Sequence, residues 1–289
     1  MTNTSPRPSR PIDPAIVAVL RAVHAAAHAQ RLNFFIAGAL ARDIWLDYIY
    51  QVPVARLTRD IDVGIQVSSW SEFEGLRERL ISDAAFTPDA HRLHRLFMPS
   101  SGVPLDIVPF GGVEDSERRI AWPPEGETVM SLWGFAEAFR AAPLLELAPQ
   151  LSVRVTSLAG LAALKLFSWS ERGRETNRDA VDFWLILRNY GEPCHRQRLL
   201  LEEDEMLTAE DYDVSRAGAR LLGADMGQIL GGQGATLLSG LIAAELNDTQ
   251  SQRLLNVVLK QAAAEDDYTR FREQLLAVVR GLLHKTRAP

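Results

Sequence analysis

The chain has 289 residues, 47% of them hydrophobic and 24% charged, which allows one large or two ordinary globular domains with a real core. A formal net charge of -6 excludes a global positive field that would draw in a polyanion, so any nucleic-acid contact must rest on local basic patches. The single cysteine, Cys194, leaves no internal disulfide and no cysteine-rich metal cluster, as expected of a protein in a reducing cytosol.

Residues 1–12, rich in Pro, Ser and Arg, read as a disordered N-terminus without the apolar core of a signal peptide. No apolar run reaches the length of a membrane span, so a cytoplasmic protein without membrane contact is expected. Asp13 followed by Pro14 starts a helix, with Ile16, Leu20, Val23 and Ala27 at helical spacing. Residues 33–37 read as a short buried strand, and Gly38 turns the backbone into a helix over about 40–50. A glycine at such a turn is structural, or it lets a phosphate approach the helix N-terminus, where free N–H groups and the helix dipole favour anions.

The next strand carries Thr58-Arg59-Asp60-Ile61-Asp62-Val63-Gly64-Ile65. Ile61, Val63 and Ile65 alternate, so Asp60 and Asp62 share a face, where like charges raise a pKa or recruit a cation such as Mg²⁺. A solvated strand face near a turn is the plainer reading of an Asp-x-Asp pair. A helix capped by Ser68 or Ser69 follows, then two strands over 93–98 and 103–110 joined by a turn. Asp106, among Leu105, Ile107 and Val108, is costly to bury unless paired, hydrogen-bonded or metal-bound, and is the natural third carboxylate. Residues 114–126 read as surface loop, 129–133 and 151–155 as further strands, and 143–150 as the linker between halves. From Ser157 long helices are expected: one with Lys165 among Leu161, Leu164 and Phe167, one over about 177–190 with Asp179 and Asp182 on one face, and a helical bundle to the end.

Gly38 at a strand-to-helix turn, Asp60-Ile61-Asp62 on the next strand and Asp106 on a later one resemble the nucleotidyltransferase fold of the DNA polymerase β superfamily. The stretch 158–166 with Lys165, then Arg172 and Arg178-Asp179-Ala180-Val181-Asp182, is similar to the AbiEii-like nucleotidyltransferases, the toxin side of type IV toxin–antitoxin pairs. The resemblance covers about 33–190. It implies an α+β fold: a mixed β-sheet flanked by helices over 13–150, followed by a mostly helical C-terminal domain over 151–289. It further implies Asp60, Asp62 and Asp106 as Mg²⁺ ligands or catalytic carboxylates, and Lys165 at the triphosphate. Gly38, Ala39, Arg42, Lys165 and Asp179 would bind the nucleotide, Arg42 pairing instead with Asp43 or Asp47 in the plainer reading. The sequence departs from the superfamily's usual Gly-Ser at the first turn, carrying Gly38-Ala39.

The implied reaction moves NMP from an NTP to a tRNA or other macromolecule, with a cognate antitoxin as a possible partner. A small-molecule acceptor such as an antibiotic, a hydrolase using water, and a non-catalytic binding protein are the alternatives. Arg172, Arg174 and Arg178 form one local basic stretch and Arg92 with Arg95 another, neither interleaved with aromatics.

Overall fold

The computed structural model describes residues 6–54, 57–84, 86–124, 126–173, 175–248, 252–261 and 265–284. The chain divides into two compact units, Met1–Ser157 and Leu158–Pro289.

In the first unit, helix α1 (Pro14–Ala29) begins where the Asp13 carboxylate accepts the Ala15 amide at 2.8 Å, with Pro14 in its first turn. Its buried stripe of Ile16, Val19, Leu20, Val23 and Ala27 faces the core. Strand β1 (Asn33–Ala37) runs straight into helix α2 (Gly38–Asp43), which continues as a π-helical segment over Ile44–Ile49. Strand β2 (Ile61–Val67) and helix α3 (Trp70–Asp83) follow, the Ser69 hydroxyl accepting the Glu72 amide at the start of α3. Strands β3 (Thr87–Pro88), β4 (Arg95–Met98) and β5 (Val103–Gly111) come next, then β6 (Arg119–Ala121), β7 (Val129–Ser131), helix α4 (Phe135–Ala141), β8 (Leu144–Ala148) and β9 (Leu151–Val155).

Seven of these strands form one mixed sheet in the order β3-β4-β5-β2-β1-β9-β8, and β6 and β7 make a separate hairpin. β2 lies at the centre, antiparallel to β1 and parallel to β5. Phe35 of β1 meets Phe110 of β5 and Phe135 and Phe139 of α4 at ring-centroid distances of 5.8, 6.1 and 5.8 Å, an aromatic cluster that fixes α4 on the sheet.

Several expectations are corrected. Residues 144–148, read as linker, form β8, which pairs antiparallel with β9, and β9 pairs in parallel with β1. The first unit therefore runs through the whole of 151–155 and ends at Ser157 rather than at 150. Residues 119–121, read as loop, are β6. Of the N-terminal stretch, residues 1–5 lie outside the described residues. Further on, the Ser9 amide and hydroxyl both donate to the Tyr48 carbonyl, at 2.7 and 2.8 Å, Arg10 pairs with Asp47, and Ile12 is buried. Residues 9–12 are thus held rather than disordered.

The second unit is helical: α5 (Leu158–Arg172), α6 (Arg178–Asn189), a π-helical segment over Tyr190–Cys194, α7 (Arg196–Leu201), α8 (Asp204–Ala209), α9 (Val214–Asn247), α10 (Arg253–Gln261) and α11 (Glu265–Leu282). By length and composition α9 is long and apolar enough to cross a membrane, which departs from the sequence expectation. It is the core helix of this unit, burying Leu221, Leu222, Met226, Leu238 and Ile242. A Cβ on Gly223 of α9 would stand 2.1 Å from the Val278 carbonyl oxygen, and one on Gly281 of α11 2.0 Å from that of Arg220. The two backbones approach too closely for side chains, so these glycines set the helix spacing. Cys194 is buried, and burial pushes its thiol up to about 12, leaving it protonated and a poor nucleophile at neutral pH.

Candidate active site

The site is organised by sheet register. Ala37 of β1 faces Asp62 of β2, Asp62 faces Asp106 of β5, and Asp106 faces Arg95 of β4, so four adjacent strands contribute one transverse row. In-register residues of neighbouring strands point to the same face, which puts the Asp62 and Asp106 carboxylates side by side. Ile61, Val63, Leu105 and Ile107 on the opposite parity are buried, while Asp62 and Asp106 are half-buried. The hydrophobic alternation thereby drives both carboxylates to the open face.

Gly38 abuts this row. Its φ of +62° lies in the left-handed region, and a Cβ there would come within 1.9 Å of Asp62 Oδ2. Only glycine lets the start of α2 lie directly against the carboxylate. Gly38 and Ala39 are half-buried at the N-terminus of α2, where the first amides of a helix have no intrahelical acceptor.

Asp60 stands one residue before β2 rather than within it, and is exposed. A short relay positions it. Asp43, 1% exposed, accepts the Thr58 amide at 2.7 Å, and the Thr58 hydroxyl accepts the Asp60 amide at 3.1 Å. Arg42 is buried and donates to Asp43 through Nε at 2.8 Å and a terminal nitrogen at 2.5 Å, the plainer of its two sequence readings. Asp47 is engaged by Arg10 instead.

Arg95 binds Asp106 as a fork, Nε to one carboxylate oxygen at 2.6 Å and a terminal nitrogen to the other at 2.5 Å. These hydrogen bonds raise the Arg95 pKa further above its already high value, and the charges of Asp106, Asp60 and Asp62 add to this. Burial pushes the neighbouring His94 imidazole down, against the pull of Asp106, so His94 is neutral at pH 7. Sequence reading placed Arg95 only in a basic stretch; its partner is set by the pairing of β4 with β5. Among the described residues no group of three or more His, Cys, Asp or Glu side chains is gathered closely enough to hold a metal ion alone.

In the second unit Lys165 of α5 reaches two buried carboxylates of α6: Asp179 at 3.1 Å and Asp182 at 2.6 Å. Asp179, 2% exposed, also takes Arg172 Nε at 3.0 Å. The lysine is thus held by ion pairs rather than extended into water. Arg178 is exposed, and Arg174 lies outside the described residues.

A family model described as "Nucleotidyl transferase AbiEii toxin, Type IV TA system" matches residues 19–280. The chain belongs to the AbiEii nucleotidyltransferase toxin family. That match extends the resemblance well beyond 33–190 and takes in α9 and most of α11. A search of curated proteins finds no match. Among solved structures, this AbiEii-family chain is similar to the antibiotic-resistance factor ANT(2'')-Ia in its solution structure, at 16% identity and TM-score 0.34, covering 68% of this chain and 96% of that one. It is similar to the crystal structure of the same factor in complex with adenylyl-2''-tobramycin, at 17% identity and TM-score 0.33, covering 70% and 95%. An antigenic nucleotidyltransferase-like protein from Paracoccidioides brasiliensis gives 15% identity and TM-score 0.40 over 74% and 94%.

Proposed function

We propose that this AbiEii-family protein transfers a nucleoside monophosphate from an NTP to the hydroxyl of an acceptor, with Mg²⁺ held by Asp60 and Asp62. The observation that carries the reading is Gly38 pressed against Asp62, a helix N-terminus built flush against a carboxylate. The donor set fits a hard cation: Mg²⁺ takes oxygen ligands, commonly one or two carboxylates completed by substrate phosphates and water. When bound, such an ion neutralises charge on the transferring and leaving phosphates.

The chain's own residues do the rest. The amides at Gly38 and Ala39 face the triphosphate, doing by backbone what a turn Ser hydroxyl does elsewhere in the superfamily. Asp106, oriented by Arg95, either completes the ion's ligands or accepts the proton of the attacking hydroxyl. Within the second unit, Asp179 and Asp182 fix the direction of the Lys165 ammonium, to which the resemblance assigns a nucleotide-binding role. Arg42 stiffens α2 through Asp43 rather than touching nucleotide. We assign a tRNA or another macromolecule as acceptor and a cognate antitoxin as partner, the latter supported by the family's description as a type IV toxin. A reducing cytosol is the compartment consistent with one buried thiol.

Calorimetric titration of NTP with and without Mg²⁺ tests the binding half of this proposal. Binding is expected with Mg²⁺ and weakened at least about tenfold by Lys165→Ala, a charge-assisted contact being lost. NTP binding that ignores both Mg²⁺ and Lys165 would point to a different site.

A further inference from the structure

Helix α6 sorts its side chains by charge. At 3.6 residues per turn, Ala180, Phe183, Ile186 and Leu187 fall on one side of the helix with Asp179 and Asp182, and all of these are buried. Arg178, Val181, Trp184, Leu185 and Arg188 fall within about 120° of one another on the other side. There Val181, Trp184 and Leu185 are half-buried and both arginines are exposed. The Arg188 guanidinium lies over the Trp184 ring, 4.7 Å from its centroid. The two acids of the helix turn inward to Lys165 and Arg172, so its outer side carries two positive charges, an indole and no carboxylate. These residues are not contiguous in the chain, and only the helix gathers them.

We propose that this side of α6 holds single-stranded RNA, one base stacking on Trp184 and the backbone phosphates meeting Arg178 and Arg188. The proposal rests on the RNA-acceptor reading above and gives that acceptor a surface. A single strand is held by aromatic platforms for its bases and cations along its backbone, and α6 supplies both. The helical rise puts Arg178 and Arg188 about 15 Å apart with Trp184 between them, so a strand laid along the helix meets cation, ring and cation in turn. The base takes the place of the Arg188 guanidinium on the ring, and that guanidinium passes to a phosphate. The net charge of -6 gives no long-range attraction, so binding depends on this local pair of cations.

The test is fluorescence anisotropy of a labelled, unstructured oligoribonucleotide of mixed sequence, titrated with the full chain over a range of salt concentrations. Trp184→Leu, which keeps an apolar side chain and loses the stacking platform, should weaken binding about tenfold or more. Trp184→Phe, which keeps a ring, should stay within about threefold of wild type. Arg178→Gln/Arg188→Gln should weaken binding and flatten the slope of log affinity against log salt by about 1.4, the share of two phosphates on a single strand. Asp60→Ala/Asp62→Ala should bind the oligonucleotide as wild type does. Absence of binding by wild type, leucine behaving as phenylalanine does, or an unchanged salt slope in the double arginine variant would overturn the proposal and leave nucleotidyl transfer to be tested with other acceptors. Trp184-dependent binding without transfer to any RNA would remove the acceptor reading and leave the RNA-binding face standing.

Discussion

Asp62→Asn should lower nucleotidyl transfer by about three orders of magnitude, the scale of losing a group that stabilises developing phosphate charge, and leave the fold intact. Asparagine keeps the size of the side chain, so the close approach to Gly38 is undisturbed. What changes is one negative charge in a row where Asp106, itself paired with Arg95, is the lateral neighbour. Relief of like-charge repulsion should hold the melting temperature in EDTA at or slightly above that of wild type. The two readouts separate chemistry from folding. A variant that transfers nucleotide at the wild-type rate would show that Asp62 holds no ion needed for the reaction.

Gly38→Ala should be damaging for two separable reasons. The left-handed backbone at this position costs an alanine about 1 kcal/mol. The added methyl would also stand 1.9 Å from Asp62 Oδ2, so the carboxylate or the start of α2 must move. A misplacement of about 1 Å in a reacting constellation can reduce rate about a hundredfold, so activity should fall much further than stability. Repeating the change in an Asp62→Ala background isolates the share of the clash that the Asp62 carboxyl contributes. The loss in melting temperature should shrink there, because the oxygen at 1.9 Å and the carboxyl carbon at 2.5 Å are gone, leaving the backbone cost and the contact with the residue 62 Cβ at 2.7 Å. Equal losses in both backgrounds would mean that the Asp62 carboxyl moves aside without cost and contributes nothing to the clash.

The alternation Ile61, Val63, Ile65 was legible because period-two burial is a local property, and with it the half-buried placement of Asp62; Asp60 falls one residue before β2, where that period no longer applies. Gly38 was legible as a turn glycine, but its contact with Asp62 depends on β1 pairing antiparallel with β2. Asp106 stood out as a charge among apolar neighbours, whereas its in-register match to Asp62 arises from a parallel pairing of strands about forty residues apart, which sequence period alone does not set. Arg95 was hidden for the same reason. β8 was missed because 144–148 is an edge strand with an exposed Leu144 and a charged Glu146 next to Pro143, and its identity comes from pairing with β9. In the second unit the apolar pattern broke into separate stretches around Gly231 and Gly232. The chain instead bends at Gly231, with φ +70° and ψ 177°, and carries α9 on to Asn247.

Transfer of label tests the central claim most directly: purified protein, Mg²⁺, each α-³²P-labelled NTP in turn and total cellular RNA, with wild type beside Asp60→Ala/Asp62→Ala. The account predicts label on an RNA species with wild type and none with the double variant, both proteins melting cooperatively. Equal labelling by the two proteins, or transfer by neither to RNA, protein or small-molecule acceptors, would contradict it.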